Sequence, residues 1–297
     1  MILEIKENKF HRKHWIKFIL QVCKLYLNKK NCQTDLTNLS YNKISSLYDN
    51  TWTDHMQVFS KDMINRLPVP INGTGLDLTC GTGYVTGLLA EKMKGDVIGV
   101  DISKGMLEVA KQKHGKRCKF VCSDVMDYLY NQPSENIDVV TWAWGLGYTK
   151  PLKMIKEISR ILKPNGLVGI IDNGLFTIYE VVLSGISTVA EYPYAVKNVM
   201  NVRWLPTVGS LTRRMRFSGL SVLSSWKGEK TYFAKNRDDA LNRLITTGSA
   251  SGYEYCFEKE YSQLIKNRFA EIFEKLYGTD KGLPITHRYI AAIAKKQ

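Results

Sequence analysis

The sequence lacks the features that mark membrane, secreted or metal-binding proteins. Its 297 residues contain no apolar run of the roughly 18 residues that a membrane-spanning helix needs. The basic N-terminus has no apolar stretch followed by a small-residue cleavage site, so it does not predict a secretory signal. The six cysteines form no Cys-x-x-Cys pair, and the spacing of Cys118 and Cys122 suits a metal poorly. We therefore expect a cytoplasmic protein with free thiols and no metal.

Acidic residues are scarce relative to basic ones. The chain has 28 Asp and Glu against 42 Lys and Arg, which gives a net charge of +14. Residues 1–30 hold eight of the basic residues and two of the acidic ones. Such an excess favours nucleic acid, an anionic lipid surface or an acidic substrate, although a generally Lys-rich composition accounts for it equally well. A hydrophobic content of 44% is that of a globular chain that buries a substantial core.

Residues 9–27 have the spacing of an amphipathic helix. Its lysines lie off an apolar side that is formed by Trp15, Phe18, Ile19, Val22, Cys23 and Tyr26. A basic amphipathic helix can rest on a membrane surface or bind an acidic partner. We favour the simpler arrangement, in which the helix docks on its own domain.

The stretch that organises the chain is Gly75 to Ala90, GLDLTCGTGYVTGLLA. The end of an apolar strand, a turn with Gly81 and Gly83, and an apolar run at helical spacing follow one another. That geometry brings backbone N–H groups and a helix N-terminus against a ligand. The glycine spacing differs from the G-x-G-x-x-G of dinucleotide sites. Asp77, on the strand side of the turn, would repel a pyrophosphate but would hold an ammonium group.

Two further acids come where later strands are predicted to end. Asp101 closes an apolar strand 18 residues after Gly83, where a βαβ unit places a carboxylate that accepts both hydroxyls of a ribose. Asp124 follows the third strand, where a polar side chain meets the edge of an adenine. Continued alternation of strands and helices predicts an α/β fold with a mostly parallel sheet and helices on both faces. Ligands of such a sheet lie at the carboxyl ends of its strands.

The ordered segments DLTCGTG, VIGVDIS, CSDVMDY, NIDVVTWAWG and LKMIKEISRILKPNGLVGIID resemble the motif set of the class I S-adenosylmethionine-dependent methyltransferases. The likeness is to those that methylate small molecules, including the quinone-biosynthesis type. It implies a Rossmann-like, doubly wound sheet of seven strands, with S-adenosylmethionine as cofactor and S-adenosylhomocysteine as product. The residues that it assigns to the cofactor are Tyr48, Asp77, Thr79, Gly81, Gly83, Asp101, Ile102, Met106, Ser123, Asp124, Val125, Trp142 and Ala143.

The resemblance also divides the chain. We expect a basic helix and linker at 1–38, a helical cap at 39–72 and the cofactor-binding core at 73–172. Residues 173–297 then complete the domain with closing strands and with helical insertions at 173–210 and 237–282. In the family, the N-terminal segment commonly folds over the cofactor and an aromatic side chain shields the sulfonium, for which Tyr41, Tyr48 and Trp52 are the candidates.

The sequence shows no general base at a diagnostic spacing. The candidates for catalysis are Tyr148, Glu191, Tyr192, Tyr194 and His287, with His55 also considered. The segment TWAWG lacks the Asn/Asp-Pro-Pro-aromatic motif of enzymes that methylate base amines, so nucleic acid is not expected as the substrate. The aromatic-rich insertions predict a small apolar or flat organic acceptor, methylated on carbon, oxygen or nitrogen.

Three other interpretations stay open at this stage. The acceptor could be an acyl chain or lipid that a carrier protein or a membrane presents to the basic N-terminal helix. The protein could bind S-adenosylmethionine or its product without catalysis. A nicotinamide-dependent dehydrogenase is disfavoured by Asp77 and by the glycine spacing. The sequence does not indicate an oligomeric state.

Overall fold

A computed structural model describes residues 12–27, 37–45, 56–200, 202–248 and 253–297. Seven strands form one sheet: β1 (Gly75–Leu78), β2 (Val97–Asp101), β3 (Cys118–Cys122), β4 (Ile137–Ala143), β5 (Leu162–Asn173), β6 (Leu220–Ala234) and β7 (Leu283–Lys296). Their spatial order is β3-β2-β1-β4-β5-β7-β6. The first five strands pair in parallel, and β7 runs antiparallel between β5 and β6.

Helices connect the strands in the alternation that the sequence predicts. They are α1 (Arg12–Leu27), α2 (37–45), α3 (Gln57–Arg66), α4 (Tyr84–Lys92), α5 (Lys104–His114), α6 (Val125–Tyr130), α7 (Pro151–Ile161), α8 (Tyr179–Glu191), α9 (Val208–Phe217), α10 (Arg237–Thr246) and α11 (Ser262–Tyr277). The described residues also include short 3₁₀ turns at Leu146–Tyr148, Pro193–Ala195, Tyr253–Tyr255 and Lys259–Tyr261.

Both faces of the sheet are covered by helices. Side chains of α6, α7 and α9 pack on one face in a core that includes Leu129, Ile158 and Met215. On the other face, α3 and α4 bury Met63 and Leu89 against the strands. Apolar strands buried on both faces are what a parallel sheet requires. The doubly wound, Rossmann-like fold is therefore confirmed.

Several element boundaries differ from the prediction. The sequence predicts two strand segments at 217–226 and 231–234, but in the structure Phe217 ends α9 and residues 220–234 form one strand of 15 residues. The polar Lys227–Lys230 stretch resembles a turn in the sequence, but it lies within β6, an edge strand that pairs only with β7 among the described strands. Polar and charged side chains are what exposed edge strands carry. In addition, the sequence predicts a helix from Pro151 to Leu162 that residues 163–166 stop, whereas α7 ends at Ile161 and β5 already begins at Leu162.

Helix α1 lies against α8. Gln21 Nε2 donates a hydrogen bond of 2.9 Å to the backbone oxygen of Val196, and Trp15, Phe18 and Val22 are half-buried. The side that packs is rotated from the predicted one, since Ile19 is 55% exposed and Cys23 is exposed. A membrane or acidic partner for this helix stays a prediction, as does the division into four parts. No helix within the described ranges combines the length and apolar character needed to cross a membrane.

Candidate active site

A cavity of about 170 Å³ lies at the carboxyl ends of β1, β2 and β4, under α2. The chain leaves β1 toward β2 on one side and reaches β4 on the other, so the cavity occupies a switch point of the sheet, where ligands of α/β folds bind. Nine of the residues assigned to the cofactor line it: Asp77, Thr79, Gly81, Asp101, Ile102, Met106, Asp124, Val125 and Ala143.

The turn between β1 and α4 is unusual because three of its residues have positive φ. Gly81 and Gly83 have φ values of +53° and +82°, and Thr79 has a φ of +54°. A β-branched residue rarely adopts this conformation, at a cost on the order of 1–3 kcal/mol. The Thr79 hydroxyl donates a 2.6 Å hydrogen bond to the backbone oxygen of Leu78. Gly145 faces it from the loop after β4, where a Cβ would collide with the Thr79 side chain.

Asp77 is a buried carboxylate at the centre of the floor. It is 1% exposed, and it accepts hydrogen bonds from the hydroxyls of Thr86 at 2.6 Å and Thr141 at 2.8 Å. Burial raises the pKa of Asp77 to about 7, against which the two hydroxyls act, and the nearby Asp101 carboxylate adds to the rise. A positive group in the cavity would lower this pKa and stabilise the ionised form.

Asp101 connects the first two turns of the site. Its Oδ2 accepts a 2.9 Å hydrogen bond from the Gly81 backbone N–H, and its Oδ1 accepts one of 2.8 Å from Ser103. Burial raises the pKa of Asp101 even though these N–H groups favour the charged form. Each carboxylate oxygen has a second lone pair. The side chain can therefore accept two further hydrogen bonds from a ligand in the cavity.

Asp124 is the N-cap of α6. Its Oδ1 accepts hydrogen bonds from the backbone N–H groups of Met126 at 2.8 Å and Asp127 at 3.3 Å. This bonding fixes the side chain at the rim, because an N-cap carboxylate satisfies donors that the helix leaves open. The three acids thus stand at the ends of β1, β2 and β3, beside one cavity.

Helix α2 covers the cavity and is tied to α5. Asn42 Oδ1 accepts hydrogen bonds from the Ser103 hydroxyl at 2.8 Å and from the Gly105 backbone N–H at 2.9 Å. On the same helix, Tyr41 lies edge-on to Tyr148, with ring centroids 6.5 Å apart. Tyr41 thus lines the cavity, and its role as a shield of the sulfonium stays a prediction. Tyr48, Trp52 and His55 lie outside the described residues.

Tyr148 is positioned by a second buried acid. Asp172, at the end of β5, accepts a 2.6 Å hydrogen bond from the backbone N–H of Leu146 and so holds the 3₁₀ turn that carries Tyr148. Burial raises the pKa of Asp172 to about 7. The pKa of Tyr148 is raised well above its ordinary value, first by burial and then by Tyr41. Tyr148 is therefore a neutral hydroxyl at physiological pH.

A smaller cavity of about 70 Å³ adjoins the first. Tyr41, Trp144 and Tyr148 border both cavities. The rest of its lining combines apolar and polar side chains, among them Met56, Ile178, Val202, Trp204, Asn173, Thr177, Arg243 and His287. A molecule in the smaller cavity would therefore lie beside a ligand in the larger one, at the three aromatic residues that the cavities share.

Some predicted residues lie elsewhere. The sequence assigns Trp142 to the cofactor, and the structure contradicts this, because the side chain is 0% exposed in the apolar core. Successive side chains of a strand alternate between faces. Thr141 points to Asp77, so Trp142 points away, and Trp144 lines the cavity instead. Gly83 and Ser123 are close by but do not line it; Gly83 is the N-cap of α4.

Three of the candidates for catalysis form their contacts elsewhere in the fold. Glu191 accepts hydrogen bonds from Arg268 Nε at 2.6 Å and Nη2 at 2.9 Å, which is a structural ion pair between α8 and α11. Tyr192 and Tyr194 pack edge-on against each other. None of the three lines either cavity. Tyr148 and His287 are the two candidates that the structure brings to a cavity wall.

Sequence reasoning missed several residues that build the site. Asp172 carried a usable signal, because it ends a predicted strand as Asp77 and Asp101 do. Asn42 and Arg243 carried none. Asn42 meets Ser103 across 61 residues of chain, and Arg243 reaches the smaller cavity from a helix that precedes β7.

Comparison with known proteins agrees with this geometry. Residues 76–166 match a family model described as a methyltransferase domain. The demethylmenaquinone methyltransferase of Staphylococcus haemolyticus is 30% identical over 152 residues, which are 48% of this chain and 62% of that protein. The biotin biosynthesis bifunctional protein BioHC of Cellvibrio japonicus is 26% identical over 205 residues, which are 67% of this chain and 38% of that protein. The chain thus spans less than two thirds of either relative's length.

A solved structure shares the fold. The YcgJ protein of Bacillus subtilis superposes with a TM-score of 0.53 at 15% identity, covering 81% of this chain and 99% of that one. The sheet order and the acids at its strand ends define the class I methyltransferase fold. The family match over residues 76–166, the relatives and the sheet order all support the resemblance to the class I S-adenosylmethionine-dependent methyltransferases that the motifs indicated.

Proposed function

We propose that this protein transfers a methyl group from S-adenosylmethionine to a small organic acceptor with an apolar or aromatic body. The observation that carries the proposal is the convergence of Asp77, Asp101 and Asp124 on one cavity beside the glycine turn. These residues fit the cofactor. Asp77 would face its ammonium group, Asp101 would accept from its ribose hydroxyls, and Asp124 would meet its adenine edge.

The cofactor supplies, when bound, a methyl group already activated by a sulfonium. The protein's part is then to align an acceptor and to exclude water. Tyr41, Trp144 and Tyr148 form the wall between the two cavities, so they suit both tasks. Because its pKa is raised, the Tyr148 hydroxyl keeps its proton at neutral pH. It would therefore orient the acceptor by donating a hydrogen bond to it, and it would not act as a general base.

Calorimetry with S-adenosylhomocysteine and, separately, with NAD tests the cofactor assignment. We expect binding of S-adenosylhomocysteine and none of NAD. Transfer of labelled methyl groups from S-adenosylmethionine to a panel of aromatic and apolar acceptors then tests catalysis. Binding of NAD in place of S-adenosylhomocysteine would refute the proposal. Cofactor binding without turnover on any acceptor would favour the non-catalytic alternative.

A further inference from the structure

Arg243 places a permanent positive charge at the smaller cavity. It lies on α10 and lines the cavity together with Asn173, Thr177 and His287. Its Nη2 is buried and, among the described residues, has no hydrogen-bond partner. Within the same ranges it forms no ion pair with an acid, and no Asp or Glu lines the cavity.

The guanidinium is held in place by Tyr232. The Arg243 Cζ lies 3.4 Å from the centroid of that ring, so the planar group stacks on the aromatic face. Stacking stabilises the charge through the face of the guanidinium. It leaves Nη2 without a hydrogen-bond partner in the described part of the chain. Asp239 nearby accepts from the Tyr232 hydroxyl at 3.2 Å and from the Lys235 backbone N–H at 2.8 Å.

Arg243 as a whole is half-buried, but a buried N–H donor of a permanently charged group is costly when no acceptor pairs with it. We infer that Arg243 binds an oxyanion of the methyl acceptor, a carboxylate or a phosphate, at the end of the smaller cavity away from the cofactor. This inference rests on the proposed function, because it takes the ligand of the smaller cavity to be the methyl acceptor. Met56, Ile178 and Trp204 would hold the apolar body, and Tyr148 would face the atom that is methylated.

The positions of Arg243 and of the shared aromatic residues determine how the acceptor is oriented. Arg243 lines only the smaller cavity, whereas Tyr41, Trp144 and Tyr148 border both. An oxyanion on Arg243 therefore anchors one end of the molecule, and the opposite end reaches the wall beside the cofactor. The acceptor class is then an amphipathic acid, with the methylated atom remote from its anionic group.

The test measures binding of three small probes to the full chain by ligand-observed NMR, with and without S-adenosylhomocysteine. The probes are benzoate, phenyl phosphate and the neutral benzamide. The inference expects at least one anion to bind about 10- to 100-fold more tightly than benzamide, as charge-assisted hydrogen bonds imply. Preference for benzoate assigns a carboxylate, and preference for phenyl phosphate assigns a phosphate. Equal binding of all three, or binding of none, would overturn the inference.

Variants locate the effect. Arg243→Gln is expected to abolish the preference for an anion, and Arg243→Lys to keep part of it, since the charge remains but the planar fork is lost. Arg237→Gln is the matched control, because Arg237 is on the same helix but is exposed and pairs with Glu274. An unchanged preference in Arg243→Gln, or a loss in Arg237→Gln as large as in Arg243→Gln, would contradict the assignment.

The outcome is separable from that of the proposed function. Affinity for S-adenosylhomocysteine reports the cofactor site and the fold of each variant, because Arg243 does not line the larger cavity. If the cofactor product does not bind the unmodified protein, the proposed function fails. The preference of Arg243 for an anion is still measurable without it. If the product binds and the anion preference is absent, the inference fails alone.

Discussion

Replacing Asp77 with asparagine should stabilise the empty protein at neutral pH while weakening its hold on the cofactor. The carboxylate is 1% exposed, and its pKa is raised from 3.8 to about 7. The folded protein therefore keeps a proton on Asp77 up to about pH 7, whereas the unfolded chain releases it near pH 4. Stability is consequently lost as the pH rises between these two values.

The size of the effect follows from the shift. A change of about three pKa units corresponds to about 4 kcal/mol at pH 8, at about 1.36 kcal/mol per unit. Asparagine is uncharged at every pH and keeps the shape of the side chain, with the Thr86 and Thr141 hydroxyls free to reorient toward it. The variant should therefore gain stability relative to the original protein as the pH is raised from 4 to 8.

Urea unfolding of both proteins at several pH values, followed by tryptophan fluorescence, gives this difference directly. Asp96→Asn is the control, because Asp96 is an exposed acid that pairs with Lys119. Affinity for S-adenosylhomocysteine should rise with pH toward 7 in the original protein, by up to about tenfold per unit, because its ammonium favours the ionised Asp77. That pH dependence should vanish in Asp77→Asn. A stability difference that stays constant from pH 4 to 8 would refute the reasoning.

Three further substitutions test other parts of the site. Asp101→Ala should weaken binding of S-adenosylhomocysteine at least about 100-fold in calorimetry, since two charge-assisted hydrogen bonds are lost; affinity within threefold of the original would remove the ribose assignment. Asn42→Ala removes two hydrogen bonds, worth about 2 kcal/mol. It should speed amide exchange in residues 37–45, and unchanged exchange would show that α2 is held otherwise. Glu191→Ala should lower the free energy of unfolding by about 1–2 kcal/mol and leave cofactor affinity intact. The figure is smaller than for a fully buried ion pair because the Arg268 side chain is 35% exposed, so solvent screens the pair. Lost methyl transfer at full stability would instead restore Glu191 as a catalytic residue.

The sequence by itself determined the sheet and the acids on its edge. An apolar strand, a glycine turn and a helix are local patterns, and each parallel strand must end at the same edge as its neighbours. Asp77, Asp101 and Asp124 were therefore predictable from their places in the chain. The error at Trp142 was avoidable, since alternation along β4 puts it opposite Thr141.

Only the tertiary structure decided what surrounds those acids. Asn42 reaches Ser103, and Arg243 reaches the cavity beside His287, through packing of elements far apart in the chain. Nothing in the local pattern of α2 or α10 states which neighbour it will meet, because helical spacing specifies an apolar side and not its partner. The cover of the larger cavity and the chemistry of the smaller one depend on that long-range packing.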